Sequence, residues 1–409
     1  MEWIDGGVTS PKGFRASAVR AGLKKEGLDL VVLECHSGAA SAGLFTSNAV
    51  KAAPVLVSIR NLKKSRGRTR AVVVNSGNAN ACNGSGGLED AYEVASKCAQ
   101  SLGTSVWKVL LASTGVIGRP LPLAKVLAGL ELAIPKLDSS RAASKGAAQA
   151  IMTTDRVPKE AAVRVTHRNG FFVIGGMAKG VGMIHPNLAT MLCFLTTDAR
   201  IEPGLLARAL REAADQSFNM ISVDRDTSTN DTLLAMASGL SSSPPIRPKG
   251  QAFRLFRDAL AQVCVSLAKQ MVRDGEGATK LFEVEVSGAR SLSDARLCAR
   301  SIAGSNLVKS AVFGCDPNWG RILAAAGYSG AKIDQDAVKV ALETPDGKSM
   351  EWVTGGQQIA EERNEVARKF LAEESFKIKL DLGLGRFRAT AWGCDLTYDY
   401  VKVNSQYTT

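Results

Sequence analysis

Thr190 closes the run GGMAKGVGMIHPNLAT, residues 175–190, and Met191–Leu195 after it reads as a buried strand. A threonine placed where a glycine-rich loop enters a strand is where an N-terminal nucleophile belongs. If the Ala189–Thr190 bond is cut, Thr190 gains a free α-amine beside its own hydroxyl. With an ordinary pKa of about 7.7–8.0, that amine can take the proton of Oγ. Such a site needs no histidine, and the chain has only three: His36, His167 and His185. So few leave little room for a multi-histidine metal site or a Ser–His–Asp triad. The same position also suits a threonine that merely joins loop to strand.

Other segments dense in Gly, Asn, Ser and Thr punctuate the chain: NSGNANACNG (75–84), STGVIG (113–118), DRDTSTNDT (224–232), DGEGATK (274–280) and DPNWGR (316–321). Residues of this kind form turns. With 175–190 they make six clusters, more than folding needs, and they read as loops converging on a polar site. A nucleotide-binding reading fails. GGMAKGVG lacks the Lys-Ser/Thr ending of a phosphate loop, and Gly383-Leu384-Gly385 lacks the third glycine of a dinucleotide fingerprint.

The elements that must hold these loops alternate between strand and helix signals. Leu30–Leu33, Ala71–Val74, Val109–Ala112, Val338–Leu342 and Ile378–Leu382 read as strands, and Glu89–Leu102, Leu205–Phe218 and Phe253–Val272 as helices. A hairpin is expected over Ala161–Ile174, turning at Arg168-Asn169-Gly170. SSSPPIRPKG, 241–250, is a surface connection, either a domain boundary or a loop inside one body. The pattern predicts a layered α/β or α+β body. Its 409 residues suffice for two to three domains or one large body.

Composition excludes several classes. At 45% hydrophobic residues the chain buries a core and is not disordered. No run approaches the ~18 apolar residues of a membrane span, and the start lacks the apolar region of a secretory signal. Eight cysteines contain no CxxC pair and are expected to be reduced. The net charge is +12, and the densest basic run is RNLKKSRGRTR, 60–70. No aromatic residues interleave there, so it reads as a solvated turn before a strand and not as a nucleic-acid patch.

Read together, the loop segments, with GGVTSPKGF near the start, IMTTD, SFNMISVDRDTSTNDT, FGCDPNWGRI and AWGCDLTYDYVKVNSQYTT at the end, resemble the ornithine acetyltransferase, or ArgJ, family over essentially the whole chain. The resemblance implies a layered α/β sandwich with sheets packed between helices, self-cleaved into an α chain (1–189) and a β chain (190–409) that stay associated, as α2β2 or higher. It implies acetyl transfer from N²-acetylornithine to glutamate, with acetyl-CoA as an additional donor in some members and no bound cofactor or metal. Thr190 then matches the nucleophile, with cleavage between Ala189 and Thr190. Thr114 and Gly115 match the pair that stabilises the oxyanion. Thr153, Lys179, Glu276, Asn404 and Thr409 match substrate-contacting positions. Lys179 suits a carboxylate, and Glu276 an ammonium group or proton relay.

The sequence departs from the family pattern at Arg225 (commonly glycine), Val181 (usually small and polar) and Ser76 (typically alanine). Arg225 strains its loop if that position needs a positive φ. The competing enzyme reading is a self-processing aminopeptidase or amidohydrolase of related fold, with water as acceptor. The non-enzymatic one is a basic binding module resting on residues 60–70. The expected compartment is the cytoplasm, or a plastid stroma or mitochondrial matrix if a leader is missing. Partners are expected to be small molecules, with neither nucleic acid nor membrane.

Overall fold

Runs of alternating apolar residues build two sheets in a computed structural model that describes residues 1–168, 170–184 and 191–406. Among the described residues, the larger sheet contains nine strands. They are β1 (Glu2–Ile4), β2 (Phe14–Val19), β3 (Leu30–Phe45), β4 (Arg68–Asn78), β5 (Val109–Val116), β6 (Lys159–His167), β7 (Gly170–Lys179) and β8 (Leu192–Thr197), and, after a short β9 (Ile221–Ser222) of the second sheet, β10 (Thr232–Ala237). Their order is β1-β6-β7-β8-β10-β3-β4-β5, with β2 also paired to β3. The second sheet joins β9 to β11 (Leu281–Ala289), β12 (Lys339–Glu343), β13 (Ser349–Thr354), β14 (Gln357–Gln358), β15 (Ser375–Asp381) and β16 (Phe387–Cys394), in the order β14-β13-β12-β15-β11-β16-β9.

Strand alternation sorts side chains into layers. Val32, Val73 and Leu111 pack against helices α1 (Ala53–Lys64), α2 (Gly84–Ser101) and α3 (Leu123–Ala133), in a cluster that includes Val57, Val94 and Val126. Their neighbours Val31, Val72 and Leu110 face an inner core with Met177, Phe194 and Leu234 and with Ala147 and Ala148 of α4 (Arg141–Ala150). On the opposite face, Phe172, Cys193, Leu195 and Leu233 pack on α5 (Pro203–Ala214) and α6 (Gln251–Arg273). That third core continues into the second sheet through Phe282 and Trp392 and into α7 (Leu292–Ala303). The expected α/β sandwich, with sheets between helices, is therefore what the chain forms.

The long β3 holds the large sheet together. The sequence predicts only Leu30–Leu33, a short apolar run bounded by polar residues. The strand instead continues through a register shift between Glu34 and Ala39. Its small residues Ala40 and Ala42 then pair with Ala237 and Ala235 of β10. The basic run corrects in part as well. Arg60–Lys64 completes α1, so the turn before β4 occupies only residues 65–67. The hairpin β6–β7 forms with His167 opposite Gly170, while Asn169 lies outside the described residues. Residues 241–250 join β10 to α6 inside one core, where Ile246 is buried, so they mark no domain boundary.

Strands on either side of position 190 share the large sheet. Lys179 of β7 faces Leu192 of β8 across an antiparallel pair. β8 in turn runs parallel to β10, and β10 antiparallel to β3. Residues after 190 thus supply two central strands of a sheet otherwise made by residues before it.

Candidate active site

The ends of β5 and β7 and the loop entering β10 meet at a cavity of about 90 Å³. Thr114 and Gly115 come from the end of β5, Lys179 from the end of β7, and Thr153 from the loop after α4. Glu276 follows α6, and Asn404 lies on the last helix, α11 (Tyr398–Gln406), to which α8 (Asn306–Phe313), α9 (Trp319–Gly327) and α10 (Arg363–Leu371) lead. All six line the same cavity. Ala189, Thr190 and Thr409 lie outside the described residues.

Lys179 is 4% exposed. Its ammonium donates to Thr153 Oγ1 at 2.8 Å and to Thr114 Oγ1 at 3.3 Å, and Asp155 Oδ2 lies 3.9 Å away. Burial lowers its pKa from the ordinary lysine value, and the Asp155 charge opposes that fall. For Asp155 burial works toward a higher pKa, but the Lys179 and Lys159 ammonium groups outweigh it and hold the carboxyl at about 2. Lys159 Nζ donates to Asp155 Oδ1 and Asp274 Oδ2, both at 2.7 Å, and the Gly180 N–H bonds Asp155 Oδ1 at 3.0 Å. A buried, alternating chain of charge therefore stands behind Lys179 and fixes where its ammonium points.

Thr114 is 7% exposed, and its hydroxyl accepts from Lys179. That leaves its own hydrogen free to donate into the cavity. Gly115 has φ +135°, and a Cβ there would fall 2.3 Å from the Gly77 carbonyl carbon, so only glycine fits. Asn230 ties this strand end to the loop before β10, its amide donating to Ser113 O at 2.9 Å and Ala79 O at 2.7 Å.

Glu276 accepts from Thr154 Oγ1 at 2.8 Å and from Asn404 Nδ2 at 2.9 Å, one partner on each carboxylate oxygen. Its backbone N–H is held by Val181 O at 2.8 Å. Gly182 sits so close that a Cβ there would lie 2.5 Å from Glu276 Oε2. The tail helix is thereby joined to the floor of the cavity, which sequence patterning alone reads as a frayed polar end.

Two acids beside the loop of residues 180–184, Asp231 buried and Asp224 partly so, escaped the sequence reading. Asp224 accepts the Ile184 N–H at 2.8 Å and the Tyr400 hydroxyl at 3.3 Å. Asp231 accepts the Met191 N–H at 3.2 Å, while its other oxygen has no hydrogen-bond partner among the described residues. Burial raises the Asp231 pKa well above the usual carboxylate range. Thr154, Asp155 and Lys159 were missed too, although the first two stand beside Thr153 in IMTTD; nothing local in the sequence says that Lys159 is buried.

Five of the six loop clusters contribute to the cavity or brace it. DPNWGR does not: it opens α9, where Trp319 Nε1 bonds Gln358 Oε1 at 3.0 Å. The departures have local accounts. Arg225 has φ +71°, the strained region expected. Val181 is buried against the cavity. The Ser76 hydroxyl, fully buried, donates to Ala150 O at 2.6 Å. Among the described residues no cluster of His, Cys, Asp and Glu could hold a metal, and the cysteines are unpaired. Among the described residues no helix is long and apolar enough to cross a membrane.

A layered α/β body with a small cavity of hydroxyls, a buried lysine and a carboxylate is the frame of an enzyme for small charged substrates. Residues 15–409 match the ArgJ family. The chain is similar to the arginine biosynthesis bifunctional protein ArgJ of Symbiobacterium thermophilum, at 51% identity over 100% of both chains. The protein of that name from Caldanaerobacter subterraneus is 47% identical, again over 100% of both. A solved ArgJ structure from Bacillus halodurans is 43% identical, covering 52% of this chain and 97% of its own, with a TM-score of 0.49. The chain belongs to the ArgJ family of arginine-biosynthesis enzymes.

Proposed function

We propose that this chain cuts itself between Ala189 and Thr190 and then moves acetyl from N²-acetylornithine to glutamate by way of acetyl-Thr190. In the first event Thr190 Oγ attacks the Ala189 carbonyl carbon, the C–N bond breaks, and the resulting ester is opened by water. Ala189 keeps the carboxylate and Thr190 the free amine. That amine takes the Oγ proton as Oγ attacks the acetyl carbonyl. The Thr114 hydroxyl and the Gly115 N–H stabilise the oxyanion, the amine returns the proton to the leaving nitrogen, and ornithine departs. The glutamate amine then attacks the acetyl ester and leaves as N-acetylglutamate. Lys179 takes the shared α-carboxylate, while Glu276, with Thr153, Asn404 and Thr409, orients the rest of each substrate.

The carrying observation is the single cavity that gathers Thr114, Gly115, Thr153, Lys179, Glu276 and Asn404 from distant parts of the chain. Supporting it, Leu192, two residues after Thr190, pairs with Lys179. The relatives named above are called bifunctional, which supports acetyl-CoA as a second donor to the same threonine. Residues 1–189 and 190–409 stay together after cutting because they share a sheet, and such pairs associate further as α2β2 or higher. Intact-mass measurement tests the reading: two chains split before Thr190, with one acetyl group added to the second on incubation with N²-acetylornithine. Thr190→Ala is expected to stay uncut and inactive, and normal cutting in that variant would sink the assignment. If glutamate fails to discharge the acetyl group faster than water does, the hydrolase reading stands instead.

A further inference from the structure

A second, larger cavity of about 640 Å³ opens where β4 begins and β10 ends. Arg68 at this end of β4 stands ten positions before Asn78 at the other, roughly 30 Å of extended chain. Arg68, Arg70, Lys108 and Arg200 line it, against a single carboxylate, Glu202. Arg68 pairs with Glu202 at 2.7 Å. Arg70 rests on Glu34, a fully buried acid, at 3.0 Å. Arg200 is braced differently, its guanidinium donating to the carbonyls of Gly239 at 3.2 Å and Ser241 at 3.4 Å. Those bonds fix its orientation without cancelling its charge. Among the described residues neither Arg200 nor Lys108 has a carboxylate partner.

We propose that this cavity binds a small, multiply charged, non-aromatic anion bearing phosphate or carboxylate groups. The volume falls within the ~300–1,000 Å³ of small-molecule sites. Arginine forks match either group with paired hydrogen bonds. The hydroxyl of Thr104 in the lining can donate as well. Among the described residues no aromatic side chain lines the cavity to stack a base, which sets a nucleotide aside. The site also accounts for the Arg68–Arg70 half of the basic run, which the catalytic cavity does not use.

Calorimetric titration of the whole protein at low ionic strength, with pyrophosphate and separately with citrate, tests this. Saturable binding of one or both is expected, and whichever binds identifies the group recognised. Lys108→Glu and Arg200→Gln, both exposed and outside the catalytic cavity, should each weaken it about tenfold or more. Lys179→Ala should leave it unchanged, and acetyl transfer in anion-free buffer should be unchanged in the two cavity variants. No binding at millimolar probe, binding that neither cavity variant weakens, or binding lost in Lys179→Ala would each overturn the proposal.

Discussion

Lys159 and Asp155, four residues apart in sequence, form an ion pair 2.7 Å long in which neither side chain is exposed at all. The loop carrying Thr153 and the loop carrying Glu276 are joined through it, because the same ammonium reaches Asp274. A buried charge with two carboxylate partners is hard to replace, and several consequences can be measured.

Lys159→Met keeps most of the volume and removes the charge. Asp155 and Asp274 are then left facing each other's field in a dry site. A loss of about 3–5 kcal/mol in urea-induced unfolding is expected. An unchanged midpoint would mean that water reaches the pair.

Acid should weaken the fold through Asp155. Its folded pKa, about 2, lies below the unfolded value near 3.8. The stabilisation is therefore complete above about pH 4 and is lost as pH falls toward 2, by roughly 2 kcal/mol. Asp155→Asn should be less stable than wild type at pH 6, and the gap should close near pH 2. A constant gap across that range contradicts the assignment.

Asp231 carries the opposite sign. Its folded pKa is raised by burial. Its contribution is fully present below about pH 4 and fades as pH rises through the raised value. Asp231→Asn should flatten the pH dependence of unfolding above pH 4. A slope identical to wild type would show that the carboxylate is already ionised in the folded protein.

Thr114→Ala removes one hydroxyl donor and little else, since Lys179 retains Thr153. A fall in kcat of about 10²–10³ is expected, with the thermal midpoint nearly unmoved. Wild-type kcat would make Thr114 a turn residue only.

Lys179→Ala should weaken both half-reactions together, kcat/KM dropping roughly ten- to a hundred-fold for acetylornithine and for glutamate alike. Damage confined to the glutamate step would require separate donor and acceptor subsites.

Much of the frame could be read from residue patterns, because strands such as Ala71–Val74 are short, apolar and sharply bounded. β3 was underestimated because Ser37–Ala42 is built of small residues that resemble a loop, and only pairing with β4 and β10 makes it a strand. The cavity-lining residues were named through family resemblance, not periodicity. Lys159, Asp224 and Asp231 stayed hidden because a charged side chain announces neither its burial nor its partners. Tertiary packing decides both.

The insertion of β8 and β10 between β7 and β3 bears on how the molecule must be made. If residues 190–409 were translated as a separate polypeptide, their two strands would have to enter between preformed neighbours on both sides. The segment 1–189 alone would hold two disconnected half-sheets, each with an open hydrogen-bonding edge. Covalent continuity would then be needed for assembly, so a gene split at codon 190 is expected to yield aggregate where the continuous chain folds.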